Sequence, residues 1–271
     1  MYEISVTNAQ SLATFFGSLA PTARVMREDF SGTAALARAW VAQSVDPATD
    51  VMTAAWKKTQ STRTSRLREA VAIDFDAAVT KRIAKTPGLS VVTRDVMACK
   101  LTCDILAATN FAVGYFHTRR ELVAYLKHAR ACLRSKGTFV CDMYVGSSVF
   151  IADEQRVVVR VPKEIGSGTF VYVWEQRSVD VTTGIVRNAI HFELPRAKRT
   201  PLVMRDAFTY HWRLWSPPEL REAMLEAGFK RVEMYDRVGD AVDQHGNVYT
   251  RPLGEGDEID DPAVLYFAAR K

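Results

Sequence analysis

Short apolar runs alternate with helical stripes along this chain, and the first such unit is the most informative. Val25-Met26 opens a strand that runs into Arg27, Glu28 and Asp29. The chain then breaks at the turn Phe30-Ser31-Gly32-Thr33-Ala34 and enters a helix, Ala35-Leu36-Ala37-Arg38-Ala39-Trp40. Small turn residues let the backbone approach a ligand, and the free N–H groups at a helix start then face that ligand's polar end. Further apolar runs also end in polar groups. Ala70-Val71-Ala72-Ile73 ends in Asp74, with Asp76 positioned to cap a helix through Val79. Leu89 to Thr93 ends near Asp95, and Ile105 to Ala108 ends in Thr109-Asn110-Phe111. An acid closing the second strand is placed to accept from ribose hydroxyls.

A well-marked helix follows. Thr118 and Glu121 form a capping box, Leu122, Leu126, Ala129 and Leu133 supply a buried stripe, and Gly137 is the expected stop. Thr138 to Tyr144 is almost continuously apolar, as a strand covered on both faces should be. Five βα units of this kind predict a parallel sheet. Upstream, Leu12, Phe15, Phe16 and Leu19 recur at helical spacing and predict a helix from Asn8 to Leu19 packed on that sheet. From about Val157 to Leu214 the period changes to two. Phe170 to Gln176, Val186 to Leu194 and Ala207 to Trp215 read as antiparallel strands, with Asp180 to Gly184 as the first turn. Ser216-Pro217-Pro218-Glu219 starts one more helix, which Gly228 ends. Phe229 to Tyr235 and Val264 to Ala269 are the last strands, with a surface loop from Gly239 to Asp261 between them.

This order of elements resembles the class I S-adenosylmethionine-dependent methyltransferases. Their first motif, acid-x-Gly-x-Gly-x-Gly, stands here as Glu28-Asp29-Phe30-Ser31-Gly32-Thr33-Ala34, with only the middle glycine kept. The Arg-Glu-Asp-Phe block at 27–30 and Tyr210-His211-Trp212-Arg213-Leu214-Trp215 are similar to one less-characterised branch of that family. The resemblance implies an α/β fold: a Rossmann-like seven-stranded, mostly parallel sheet with helices on both faces and an antiparallel β insertion after the fifth strand. It implies a cofactor-binding core over residues 1–150, an insertion at 151–215 that shapes the acceptor site, and a return to the core at 216–271. The implied cofactor is S-adenosyl-L-methionine. Glu28 and Asn110 stand near its methionine end, Gly32 gives backbone approach, Asp74 meets the ribose and Asp95 the adenine, and Phe75, Val96 and Phe111 flank them. Arg27 either pairs with a nearby acid or reaches the cofactor carboxylate, since a bare charge in a central strand is costly. Glu28 and Asp95 also have capping alternatives.

Composition narrows the partners. The chain has 271 residues, 48% hydrophobic and 25% charged, with a formal charge of +5 and a pI near 9.0. No run of about 18 apolar residues is present, and Met1 to Ser5 lacks the pattern of a secretory signal, so the expectation is a soluble, cytoplasmic protein. Cys99, Cys103, Cys132 and Cys141 fall within predicted strands and helices, as reduced buried thiols do. No Cys or His set has metal-ligand spacing. The basic residues concentrate in Lys57 to Arg68, between the first helix and the second strand. That stretch is a solvated insertion, a lid, or an anion-contacting arm.

On the acceptor side, His117, His191 and Tyr210 are candidate catalytic groups. Tyr115, Tyr172, Trp174, Arg187, Trp212 and Arg213 are candidate substrate contacts. Strand alternation places Tyr210 and Trp212 on one face and His211 and Arg213 on the other. The leading expectation is methyl transfer to nitrogen or oxygen of a small molecule. Alternatives are an RNA or protein acceptor engaging the basic stretch, a non-catalytic cofactor-binding protein, and a dehydrogenase. The oligomeric state stays open, with a homodimer among the options.

Overall fold

The computed structural model describes residues 1–6, 8–43, 67–164, 166–196, 199–238, 241–242 and 248–271; the basic stretch from Lys57 thus lies outside the described residues except for Leu67 and Arg68. In chain order the elements are α1 (Tyr2–Val6), α2 (Ala9–Leu19), β1 (Val25–Asp29), α3 (Ala35–Ala42), β2 (Glu69–Asp74), α4 (Ala77–Thr80), β3 (Leu89–Thr93), β4 (Cys103–Ala108), α5 (Arg119–Cys132) and β5 (Leu133–Val145). They continue with β6 (Asp153–Arg160), β7 (Thr169–Asp180), β8 (Ile185–Arg196), β9 (Arg199–Arg213), α6 (Pro217–Glu226), β10 (Arg231–Tyr235), the two-residue strands β11 (Ala241–Val242) and β12 (Val248–Tyr249), and β13 (Ala263–Arg270).

The central sheet runs β3-β2-β1-β4-β5-β13-β10. Pairs from β3 to β5 are parallel, and β13 is antiparallel to both of its neighbours. Strand order reverses between β1 and β4, so a crevice opens beyond their C-terminal ends. One apolar core packs α2 and α3 on one face through Phe15, Phe16, Leu36 and Trp40. A second core packs α5 and α6 on the other through Leu122, Leu126, Leu220 and Met224. The sheet β6-β7-β8-β9 is an antiparallel meander, and its Val186 and Trp212 join the second core. The seven-stranded sheet, the helices on both faces and the antiparallel insertion are those the sequence pattern predicts.

Local chemistry explains the element ends. Capping boxes start α5 at Thr118 and α6 at Ser216. Asp76 caps α4 by accepting from Ala78 N–H at 2.7 Å, but that helix is a single turn. One expectation is corrected. Helix α5 stops at Cys132, before the predicted Gly137, because Leu133 already pairs with Cys103 as the first residue of β5. Gly137 instead permits a close approach inside β5: a Cβ there would lie 2.9 Å from the Arg134 carbonyl oxygen. The insertion's first strand starts at Asp153, within the expected 151–215, although the alternation becomes legible only later because β6 is a mostly exposed edge strand. And α1, from residues read only for their lack of a signal sequence, packs Ile4 and Val6 on the insertion core of Phe170, Ile190 and Phe192.

Period two within β1 sends Arg27 and Asp29 to one face of the sheet and Glu28 to the other. Arg27 is fully buried. Its Nε donates to Asp29 Oδ1 at 2.6 Å, Nη1 donates to the Cys99 carbonyl at 2.9 Å, and Nη2 donates to the Val96 carbonyl at 3.0 Å. Tyr125 of α5 donates to Asp29 Oδ2 at 3.0 Å. Of the two roles open to Arg27, the structure selects pairing with an acid. Removing one partner of such a pair strands a buried charge. Asp29→Ala is therefore expected to lower the urea-unfolding free energy by about 3–5 kcal/mol, read as a shifted midpoint with unchanged slope.

Candidate active site

The turn after β1 keeps a glycine-like backbone without the glycines. Phe30 has φ +55°, Gly32 +49° and Ala34 +56°, and these are the three glycine positions of the acid-x-Gly-x-Gly-x-Gly pattern. Left-handed backbone at two non-glycine residues costs about 1–2 kcal/mol each, so the surroundings must enforce it. Ser31 N–H donates to the Ile73 carbonyl at 3.0 Å. Gly32 N–H donates to Asp74 Oδ2 at 2.8 Å, and Asp74 Oδ1 accepts from Asp76 N–H at 2.9 Å. A Cβ on Gly32 would meet no protein atom within 4 Å, so that backbone borders open space. Ser31 Oγ is buried beside it with no protein partner.

A second tight turn stands at the end of β4. Asn110 and Phe111 have φ +58° and +61°. Their N–H groups donate to Asp142 of β5, to Oδ2 at 3.1 Å and Oδ1 at 2.7 Å. Burial pushes the Asp142 carboxyl up to about 7 against the pull of those N–H groups. An acid inside the apolar run of β5 was the available signal for this clamp.

Both turns border a cavity of about 970 Å³ lined by every parallel strand end from β1 to β4, at the upper end of the range for small-molecule sites. Five carboxylates line it (Glu3, Glu28, Asp74, Asp76 and Asp95) against the guanidinium groups of Arg38 and Arg82. Arg38 is itself paired with Glu3 at 2.7 Å. Glu28 is buried and accepts from Ala37 N–H, in the first turn of α3, at 2.8 Å. Burial pushes its carboxyl up to about 8 in spite of that hydrogen bond. Asp95 Oδ1 caps a short turn by accepting from Met97 N–H at 2.7 Å. Each acid thus has the structural role that capping predicts, and each also borders the cavity.

The remaining wall is aromatic. Phe30 stacks on Tyr115 at 6.2 Å, Tyr115 meets Trp212 edge-on at 5.9 Å, Trp212 stacks on Tyr210 at 4.2 Å, and Tyr2 lies 4.5 Å from Phe208. Tyr210 donates to the Tyr2 hydroxyl at 3.4 Å. Burial holds the phenols of Tyr2, Tyr115 and Tyr210 above their ordinary range. The arc runs from the β1 turn to the N-terminal helix.

Of the residues singled out from sequence, Glu28, Gly32, Asp74, Phe75, Asp95, Val96, Asn110, Tyr115 and Tyr210 line the cavity. Others do not. Phe111 turns toward Tyr144 and Trp212, and Arg27 lies beneath the sheet with Asp29. Trp174 and Trp212 back the wall, each stacked against Tyr210, and Tyr172 packs on Phe192. Arg187 is exposed. On the opposite face of β9, His117 Nε2 donates to the His211 carbonyl at 2.8 Å, and Arg213 reaches the His117 carbonyl and Glu219 while covering Trp215. His191 accepts at Nδ1 from Asp206 N–H at 2.8 Å and pairs through Nε2 with Glu175 at 2.9 Å. Glu175, His191 and Asp206 have ligand atoms within 4.8 Å of one another. Arg177 pairs with both carboxylates, so the group is a closed ion-pair network. Sequence reasoning missed Tyr2, Glu3, Phe30, Ser31, Arg38 and Phe208. Phe208 carried a signal, two residues from Tyr210 on one strand face, and so did Arg38, the one charge in an apolar helix.

This is the fold of the S-adenosylmethionine-dependent methyltransferases. An amino pentose methyltransferase from Micromonospora echinaspora superposes with TM-score 0.65 at 15% identity, covering 100% of this chain and 94% of that one. A methyltransferase from Clostridium acetobutylicum gives 0.63 at 10% identity, covering 100% and 94%. DesVI from Streptomyces venezuelae gives 0.62 at 15%, covering 96% and 89%. No protein-family model and no curated protein matches the sequence.

Two consequences are measurable. The folded-state pKa of Glu28 is raised, so its contribution to stability is full below its ordinary value and is lost as pH rises through about 8. Glu28→Gln, which keeps an oxygen for Ala37 N–H, should flatten the fall in urea-unfolding free energy between pH 5 and pH 9. Gly32→Ala should lower stability by about 1–2 kcal/mol and also weaken ligand binding, because its methyl enters the cavity.

Proposed function

We propose that the chain is an S-adenosylmethionine-dependent methyltransferase acting on an amine nitrogen of a small molecule. The observation that carries the cofactor reading is Glu28. A helix start at this place in an open α/β fold can hold a phosphate, but here the Glu28 carboxyl already takes the Ala37 N–H, and four more acids line the cavity. Such a site repels a pyrophosphate and suits a cationic ligand, which argues against a dehydrogenase. The residues present fit S-adenosylmethionine. The Gly32 backbone borders open space, Ser31 Oγ is an unpartnered buried hydroxyl, and the acids at the ends of β1, β2 and β3 are spread along one edge. Glu28, Ser31, Gly32 and Asn110 would hold its methionine end, Asp74 its ribose, and Asp95, Val96 and Met97 its adenine.

When bound, the cofactor supplies an electrophilic methyl carbon on a sulfonium. The protein's part is to orient and to exclude water. Nitrogen is favoured over oxygen because an alcohol holds its proton tightly and calls for a strong general base, and the proton acceptors that line the cavity among the described residues are carboxyls and phenols, with no histidine. The three phenols stay protonated at neutral pH. An ammonium acceptor is a far stronger acid than an alcohol, so loss of its proton to water or to a cavity carboxylate frees the lone pair that attacks the methyl carbon. Two structural neighbours are an amino pentose methyltransferase and a sugar N-methyltransferase from Streptoalloteichus. An RNA acceptor is less compatible with an acid-lined cavity. Among the described residues no helix is long and apolar enough to cross a membrane.

Calorimetry tests the cofactor reading. S-adenosylmethionine and S-adenosylhomocysteine should bind the wild type and NAD should not, and Asp74→Ala should lose at least about tenfold in affinity for both, the value of one charge-assisted hydrogen bond. Absence of binding to the wild type would overturn the assignment. Binding without turnover across an amine panel would favour the non-catalytic alternative.

A further inference from the structure

The N-terminal helix α1 is tied to both sides of the cavity. On the core side Glu3 pairs with Arg38 of α3 at 2.7 Å. On the insertion side Tyr2 stands against Phe208, and its hydroxyl accepts from Tyr210. Ile4 and Val6 anchor the helix on the insertion core. Tyr2 and Glu3 are therefore not a fraying terminus. They line the same cavity as the acids of β1 to β3, and their groups are only partly used. Tyr2 accepts one hydrogen bond and keeps its own O–H proton, while Phe208 and Tyr115 remain 40% and 47% exposed where they line the cavity.

We propose that Tyr2 is a positioning residue for the acceptor, acting with Tyr115, Phe208 and Tyr210 to hold a ring that carries an amine. The reading rests on the methyltransferase assignment above. Aromatic faces take the carbon ring and attract a cationic nitrogen. The phenol oxygens and the Glu3 carboxylate accept its N–H groups. Glu28 and Asp74 are the groups that the proposed function gives to the cofactor, and the Tyr2 hydroxyl bonds to Tyr210 and to neither of them. Loss of Tyr2 removes acceptor affinity and leaves cofactor affinity in place.

The test uses the full chain saturated with S-adenosylhomocysteine and two probes of one shape, cyclohexylamine (an ammonium ion at pH 7.5) and cyclohexanol. Calorimetry should give cyclohexylamine an affinity at least about tenfold higher than cyclohexanol, the size of a partly desolvated cation–π contact. Tyr2→Ala should remove about that factor, and Tyr2→Phe, which restores the ring without the hydroxyl, should recover most of it. S-adenosylhomocysteine affinity should stay within about twofold in both variants, which excludes general misfolding as the cause. Equal binding of the two probes, or cyclohexylamine affinity unchanged by Tyr2→Ala, would overturn the proposal while leaving the cofactor reading intact. Failure of the wild type to bind S-adenosylhomocysteine would overturn the cofactor reading instead, and this proposal with it.

Discussion

Ser31 and Gly32 donate their N–H groups to the Ile73 carbonyl and the Asp74 carboxylate, and the cavity depends on that pair of bonds. They hold the chain after β1 against the end of β2, in a conformation that Phe30 and Ala34 would not adopt unaided. With the turn fixed, α3 starts where Glu28 can meet its first-turn N–H, and Phe30 is delivered to the head of the aromatic arc. Release of the turn would move the acid edge and the aromatic wall together. The second turn, Asn110-Phe111, repeats the device: an acid from the neighbouring strand clamps two N–H groups of a left-handed backbone.

The motif's eroded glycines therefore do not signal an eroded turn. Glycine is needed where a Cβ would take up the ligand's space, and a Cβ on Gly32 would meet no protein atom and enter the open cavity. Ala34 is fully buried in the core with α2 and α3, and Phe30 packs its ring on Tyr115, Phe116 and Tyr125. Packing at these two sites offsets a cost of about 1–2 kcal/mol each. A glycine in either place would relieve the backbone and forfeit the contact.

What the sequence disclosed follows the range of the forces involved. Strand ends, capping boxes and the two faces of β9 were legible because they depend on residues within a few positions of one another. Arg27 was legible as a problem, a charge in a central strand, and Asp29 two residues away on the same face was its answer. The candidate histidines were not legible as bystanders. His117 lies on the far face of β9, and His191 is locked into a network with Glu175 and Asp206 that forms only when β7, β8 and β9 align. Likewise α1 gave no pattern in five residues; its place depends on an insertion more than a hundred residues downstream.

The acids of the cavity favour a cationic ligand. Asp74, Asp76 and Asp95 each satisfy a backbone N–H in the free protein, so their presence alone is consistent with a scaffold. Glu28 is different. Burial has already driven its carboxyl toward the neutral form at neutral pH, which lowers the cost of leaving that end of the cavity empty. A ligand bearing an ammonium or sulfonium group would restore the charged form and release a proton, whereas an anionic ligand would find no such reserve. The cavity thus keeps its own self-repulsion low when empty and strengthens its attraction as a cation arrives. Clamping alone would not require an acid held in that state.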